Sequence, residues 1–384
     1  MSDRKKRKGK TDIRETARRE VRALTKEELY KASATKYRSR GLHGMNLAVV
    51  LCATLAAAII AASVLCILKI DRPQRTRRTD IEQSFTADSN AEEERAKEKL
   101  AFTYITKSAA DVHSGYLILV NFENEYVPEA ASEITDIYSG KTSSYSVAYN
   151  NYKLDSFVLE RFNEFMDDLS GVTGDTCVLV NSSYRSVEEQ TVLAKEYRNL
   201  YGDEYVEKYV ATPGYSEHHT GMALDLTTRY SDGSTVPMRD YANLETLNKI
   251  GVDHGFVTRY PENKYSYTKI NTEPWHYRYV GVPHATVMTE NNLCLEEYVT
   301  YLKDYTADGE IMLTSEDGTL EKVSASELTG NTGYAVYYVS AVDESGALAA
   351  QTKIPIPESC ESYEISGNNS DGFIVTVKLK EAVS

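Results

Sequence analysis

Between Leu47 and Leu68 the chain reads LAVVLCATLAAAIIAASVLCIL, 22 residues without a charge. At 1.5 Å rise per residue a helix of that length spans about 33 Å, enough to cross the hydrocarbon core of a bilayer. Whatever else folds must therefore fold on one side or the other of this run. Residues 1–44 carry 15 Lys/Arg against 6 Asp/Glu, while the 384 residues together carry a net −14, so everything after the arm is strongly acidic. A basic arm ahead of an apolar span follows the positive-inside rule, which holds the N-terminus in the cytoplasm. It needs no nucleic-acid partner to explain it. The basic stretch is far too long for the n-region of a cleaved signal peptide, and no A-x-A-like site follows the apolar run. The expectation is a single-pass membrane protein: a cytoplasmic arm (1–44), an uncleaved transmembrane helix (45–69) and the remaining chain outside the cell.

Outside the span, residues 70–112 are polar and charged, as in AEEERAKEKLA, and read as a stalk. GYLILVNFENEY (115–126) reads as a first buried strand. Leu154, Phe157, Val158, Phe162, Phe165 and Leu169 fall at helical spacing and predict an amphipathic helix over about 152–169. CVLVNSSYRS reads as a strand entering a turn. Ser186-Val187-Glu188-Glu189 is a capping-box pattern, so a helix is expected to start at Ser186. Further short strands are expected at 222–228, 255–260 and 275–281, with a helix near 241–250, a mixture typical of α+β domains. The texture changes after about residue 305. Asp317-Gly318 between IMLTS and TLEKV signals a hairpin, and YAVYYVSAV, KIPIP and FIVTVKL follow as strands. The expected organisation is a domain at 113–305 and a small all-β module at 306–384, structural or adhesive rather than catalytic. Cys177, Cys294 and Cys360 lie outside the span with no C-x-x-C spacing, which indicates neither a disulfide framework nor a thiolate metal site.

The chemistry concentrates in SEHHTGMALDL (216–226), because the chain has only seven histidines. Zn²⁺ takes imidazole nitrogen and carboxylate oxygen, and a catalytic site keeps three protein ligands and one open position. His218 or His219 with Asp225 supplies two ligands, and EPWHYRYVG (273–281) offers His276 with Glu273 three residues before it. A carboxylate beside a metal-activated water serves as general base. Seven residues of ideal strand would send His218 and Asp225 to opposite faces. Gly221, between them, permits a bend that removes the objection.

Four separated words resemble the zinc D-alanyl-D-alanine carboxypeptidases of the VanY kind, within the LAS metallopeptidases: SSYRSVEEQ (182–190), ATPGYSEHHTGMALDL (211–226), GFVTRYPENK (255–264) and EPWHYRYVG (273–281). The family pattern S-x-H-x-x-G-x-A-x-D is met by Ser216, His218, Gly221, Ala223 and Asp225, and its E-x-W-H word by Glu273, Trp275 and His276. The resemblance spans about residues 115–300 and leaves out the anchor, the stalk and the β module. It implies Zn²⁺ held by His218, Asp225 and His276. It further implies Glu273 as the base that passes a proton to the leaving amine, and Arg185 as the group facing the oxyanion or the substrate's terminal carboxylate. Gln190 and Ser216 then help bind that carboxylate. By the same resemblance His219 is a neighbour rather than a ligand, while His254 and His284 read as surface or packing residues.

The implied fold is α+β, a LAS-type zinc peptidase domain with a small antiparallel sheet and flanking helices. The implied activity is removal of the C-terminal D-Ala from peptidoglycan stem peptides by an enzyme anchored in the cell membrane and facing the wall. An L,D-carboxypeptidase acting on tetrapeptide stems, and a non-catalytic wall-binding or sensor protein with the same fold, are the alternatives.

Overall fold

A computed structural model of the chain describes residues 101–128, 133–315, 318–328 and 331–380. The apolar run at 47–68, the basic arm and most of the stretch read as stalk lie outside the described residues. Among the described residues no helix is long and apolar enough to cross a membrane.

The site is carried by a five-stranded sheet in the order β3 (Ser146–Val147), β5 (Val178–Ser182), β6 (Ala223–Thr228), β8 (Glu273–Tyr279), β7 (Phe256–Tyr260). β3 runs parallel to β5 and every other pair is antiparallel, so the sheet is mixed rather than wholly antiparallel. A smaller antiparallel pair joins β2 (Ile134–Asp136) to β4 (Lys153–Asp155).

The predicted amphipathic helix is α1 (Ser156–Thr173), which begins where the Asp155 carboxylate accepts from the Phe157 and Val158 amides. It ends on Gly174 in the left-handed conformation, where a residue without Cβ avoids strain. Val158, Leu159, Phe162, Phe165, Met166 and Leu169 are buried against the sheet, in a core shared with Phe256, Tyr277 and Tyr279. Removing a side chain such as Phe162 from water contributes about 2 kcal/mol. Phe157 keeps the helical spacing but sits at the edge of the stripe, 39% exposed. α2 (Val187–Tyr201) starts at the expected capping box, in which the Ser186 hydroxyl and the Glu189 carboxylate satisfy each other's backbone amides. α3 (Asp203–Tyr209), α4 (Leu244–Asp253), α5 (His284–Glu290) and α6 (Leu295–Leu302) follow, with single helical turns at Ile137–Gly140 and Tyr265–Thr268.

The C-terminal strands form a second sheet in the order β10 (Leu320–Ser324), β9 (Glu310–Thr314), β11 (Tyr334–Ser340), β14 (Gly372–Leu379), β13 (Cys360–Gly367). β9 and β10 make the expected hairpin. β12 (Gln351–Pro357) pairs instead with β1 (Phe102–Ser108), inside the stretch read as stalk. Charge in the preceding residues hid β1, whose partner lies about 250 residues downstream. The β strands also share a core with the peptidase part: Leu117, Leu119, Val257, Leu295 and Tyr298 pack with Met312, Val336 and Ile374.

GYLILVNFENEY is not a strand. Leu117, Ile118, Leu119 and Val120 are buried as expected, but the backbone of this segment joins no ladder. The Leu117 amide donates to Ser366 Oγ and the Leu119 amide to the Asn368 carbonyl. Arg278 Nη2 donates to the carbonyls of Tyr116 and Ile118. A buried apolar run signals burial in any conformation whose backbone groups find partners.

Candidate metal centre

The chain between the two halves of SEHHTGMALDL does not run as a strand. Glu217–Thr220 forms a 3-10 turn closed by Gly221 at φ +73°, after which β6 begins at Ala223. A Cβ on Gly221 would lie 2.5 Å from Ile134 Cδ1 and 3.1 Å from the Asp155 amide nitrogen. The anticipated bend therefore exists, and both backbone conformation and local space demand glycine there.

The turn carries His218 to Asp225, with His218 Nε2 3.4 Å from Asp225 Oδ2. Cross-strand register brings the third residue. Asp225 on β6 pairs directly with His276 on β8, and His276 Nδ1 lies 3.0 Å from Asp225 Oδ1. One ligand atom from each of His218, Asp225 and His276 lies within 4.8 Å of the others. His218 and His276 are 4% exposed.

A second partner orients the His218 imidazole, and a carboxylate oxygen lies behind that of His276. His218 Nδ1 donates to the Ser183 carbonyl at 2.7 Å, which leaves Nε2 toward Asp225. Across the cluster, His276 Nε2 faces Glu217 Oε2 at 3.6 Å, too far for a formed hydrogen bond, and leaves Nδ1 toward Asp225. Burial, with Arg185 nearby, pushes His218 down to about 4. Burial also acts against the charged form of His276, but its contacts with Asp225 and Glu217 win and push it up to about 9. Asp225 is held below the usual carboxylate range because the two histidines outweigh its burial. Two imidazoles and a carboxylate, converging where both histidines are buried, are the donor set that Zn²⁺ takes.

The other predicted residues line the same cavity: Arg185, Gln190, Ser216, His218, Asp225, Glu273 and His276 all face it. Glu273 Oε2 is 3.9 Å from His276 Nδ1. Burial raises Glu273 to about 8, with the Asp225 charge adding to the rise and His276 and Arg185 opposing it. A dication among the three ligands would pull it back down. Arg185 Nη1 donates to Gln190 Oε1 at 2.7 Å, and Nη2 donates to Ser182 Oγ at 2.6 Å. Gln190 Nε2 in turn donates to the Ala211 carbonyl. Gln190 therefore aims the guanidinium as well as lining the cavity. Ser216 caps the 3-10 turn, its hydroxyl accepting from the His218 amide.

His219 points away from the metal cluster. Its Nε2 accepts from the Gly214 amide at 3.1 Å, so Nδ1 must carry the proton, which it donates to the Arg185 carbonyl at 2.7 Å. It is 1% exposed and braces the backbone of Arg185 rather than facing a substrate. His254 sits 2.8 Å from Asp168 near the surface. His284 is buried between Tyr298 and Thr376, tying the α5–α6 region to β14.

Three residues went unremarked in the sequence. Ser182 holds Arg185, the Ser183 carbonyl holds His218, and Glu217 lies under His276. Ser182 and Ser183 sit where the strand enters its turn, and that junction is the available signal. For Glu217 the available signal is an acid between Ser216 and His218, two positions of the family pattern.

Residues 151–282, which include every one of these side chains from Arg185 to His276, match the family described as VanY: D-alanyl-D-alanine carboxypeptidase. A D-alanyl-D-alanine carboxypeptidase of Enterococcus faecium is 32% identical over 277 residues, covering 71% of this chain and 78% of that one. The chain belongs to the VanY family. A bifunctional D-Ala-D-Ala dipeptidase and D-Ala-D-Ala carboxypeptidase, VanXYC of Enterococcus gallinarum, is 41% identical over 122 residues, 31% of this chain and 64% of that one. Among solved structures, the vancomycin resistance D,D-dipeptidase VanXYg in complex with a D-Ala-D-Ala phosphinate analog has 29% identity and a TM-score of 0.60. It is matched over 72% of this chain and 99% of that one. The α+β fold of this VanY family member is thus that of a known peptidase, and the chain is an enzyme of that kind.

Proposed function

We propose that the chain is a zinc D,D-carboxypeptidase, anchored in the cell membrane, that removes the C-terminal D-Ala from peptidoglycan stem peptides. The observation that carries this reading is one cavity lined by a His-Asp-His cluster, Glu273 and an arginine pinned by Gln190 and Ser182. His218, Asp225 and His276 would hold the ion. When bound, Zn²⁺ acidifies water to a pKa near 7 and polarises a carbonyl.

The remaining work belongs to the chain's own side chains. Glu273, buried at the edge of the cluster, takes up the proton of the attacking water and returns it to the nitrogen of the departing D-Ala. The Arg185 guanidinium is fixed before substrate arrives by Gln190 and Ser182. It offers charge-assisted donors to negative charge on the substrate, either the developing oxyanion or the terminal carboxylate. His219 keeps the Arg185 backbone in place from the other side. The membrane anchor rests on the uncharged run 47–68 and the basic arm before it.

The test is incubation of the full-length protein, in detergent with Zn²⁺, with a pentapeptide stem ending in D-Ala-D-Ala and with a tetrapeptide stem ending in a single D-Ala. Mass spectrometry reads the products. Loss of one alanine from the pentapeptide alone supports the proposal. Cleavage of the tetrapeptide alone replaces it with L,D-carboxypeptidase activity, and no cleavage of either sinks the enzymatic reading of this cavity.

A further inference from the structure

Glu217 lies at the bottom of the metal centre in a cluster of buried charges. Arg259 Nε donates to its Oε1 at 2.7 Å, and Arg278 Nη1 donates to the same oxygen at 2.9 Å. Arg259 also forms a two-pronged pair with Glu296 of α6, at 2.9 and 2.7 Å. The side chains of Arg259, Arg278 and Glu217 are fully enclosed. Such clusters add little net stability, because desolvation offsets most of the attraction.

The geometry also argues against simple neutralisation. Both arginines donate to Oε1 and neither to Oε2. Glu217 Oε2 and His276 Nε2 are both buried without a hydrogen-bond partner, and they face each other at 3.6 Å. A buried carboxylate oxygen held toward the rear nitrogen of a ligand imidazole is the arrangement by which outer partners fix ring orientation and raise ligand basicity. His218 has the matching device in the Ser183 carbonyl.

We infer that Glu217 is a positioning residue for the metal site: its Oε2 serves as hydrogen-bond acceptor for the Nε2–H of His276, which leaves Nδ1 for the ion, and the two arginines hold the carboxylate at that angle. The cluster extends this support outward. Arg278 grips the Tyr116 and Ile118 carbonyls, and Glu296 accepts from Asn121 at the end of the same segment. Ser366 and Asn368, at the C-terminal sheet, bind that segment from its other side. The C-terminal strands therefore hold the same segment that Arg278 and Glu296 hold.

The inference rests on His276 being a metal ligand, and the experiment separates the two. Zn²⁺ affinity is measured by chelator competition on the full-length protein, and the visible spectrum of the Co²⁺-loaded protein reports ligand geometry. Glu217→Gln removes the acceptor charge behind His276, whereas Glu296→Gln breaks the same buried cluster at its far end. The expected result is a 10- to 100-fold weaker Zn²⁺ affinity and a shifted Co²⁺ spectrum for Glu217→Gln, of the order seen when such outer partners are lost. Glu296→Gln should lower the melting temperature with affinity and spectrum near wild type. Glu217→Asp keeps the charge that Arg259 and Arg278 need while withdrawing the oxygen from His276, so it serves if Glu217→Gln does not fold, with weaker affinity again expected. Unchanged affinity and spectrum in a folded Glu217 variant, or equal weakening by Glu296→Gln, overturns the inference alone. A His276→Ala protein that binds Zn²⁺ like wild type overturns the metal site and the inference with it.

Discussion

His218 and His219 are adjacent and similarly buried, yet the structure gives them separable duties. His219→Ala deletes an acceptor for the Gly214 amide and a donor to the Arg185 carbonyl. Each buried hydrogen bond is worth about 1 kcal/mol, and an amide or carbonyl left without a partner costs about 1–3 kcal/mol. A total near 3 kcal/mol follows, which lowers the Tm of a domain this size by about 6–12 °C. The metal ligands are untouched. His218→Ala instead removes a ligand atom 3.4 Å from Asp225. The assay is thermal unfolding with excess Zn²⁺ and with chelator, alongside metal content. An ion present at about 1,000 times its Kd stabilises the fold by about 4 kcal/mol, so chelation should lower the wild-type Tm by a comparable step. His219→Ala should start lower and keep the full chelator-sensitive step. His218→Ala should melt at the same temperature in both conditions. Metal retained by His218→Ala and lost from His219→Ala would refute the ligand assignment. A His219→Ala protein as stable as wild type would refute the bracing of Arg185.

Glu273→Gln should retain Zn²⁺ while kcat drops about 10²–10⁴-fold, the range for loss of a general base; the paired readouts are metal content and turnover. Arg185→Lys keeps a charge but loses the planar fork held by Gln190 and Ser182, so kcat/KM should fall about 10²-fold or more at unchanged metal content. Gly221→Ala combines a left-handed backbone with a Cβ 2.5 Å from Ile134, and denaturant titration should show a loss of at least about 2 kcal/mol, with weaker metal binding. In the metal-free protein, burial raises Glu273 from its ordinary 4.5 to about 8, so the folded form holds a proton that the unfolded chain releases. That stabilising contribution is complete below about pH 4.5 and disappears as pH rises toward 8. Urea titrations of chelated protein between pH 5 and 8 should show this decline in wild type and a shallower one in Glu273→Gln.

The residues that carry chemistry were legible because their types are few and their spacing is set by local backbone. Seven histidines leave few candidate ligand sets, and the glycine between His218 and Asp225 announced a bend that an ideal strand forbids. Helix α2 was legible through its capping box, which is a contact between residues three apart. What escaped depends on partners far along the chain. β1 is a strand only because β12 lies beside it. The segment 115–120 reads as a strand because burial and pairing leave the same apolar pattern, and distant partners such as Ser366, Asn368 and Arg278 decide between them. Glu217 escaped for a similar reason, since an acid reads as solvated until Arg259 and Arg278 arrive from β7 and β8.

β8 shows how a single strand serves both core and site. Along Glu273–Tyr279, Tyr277 and Tyr279 pack into the core under α1 with Trp275 against them, while His276 and Arg278 face the metal cluster and Glu217. Alternation by two gives this division from His276 to Tyr279, whereas Glu273 lines the cavity from beyond the register shift between Thr258 and Tyr260. Register then does the rest, because Asp225 sits opposite His276 and Ala223 opposite Arg278. A slip of one residue would bury His276 among the tyrosines and turn Tyr277 toward the cavity, an exchange that both the apolar core and the ion cluster oppose. The accuracy of the metal site is therefore inherited from the packing of the opposite face. The small Ala223 across from Arg278 leaves room for the guanidinium to reach Glu217. On β8 the core residues Tyr277 and Tyr279 alternate with His276 and Arg278, and neither pair can shift without the other.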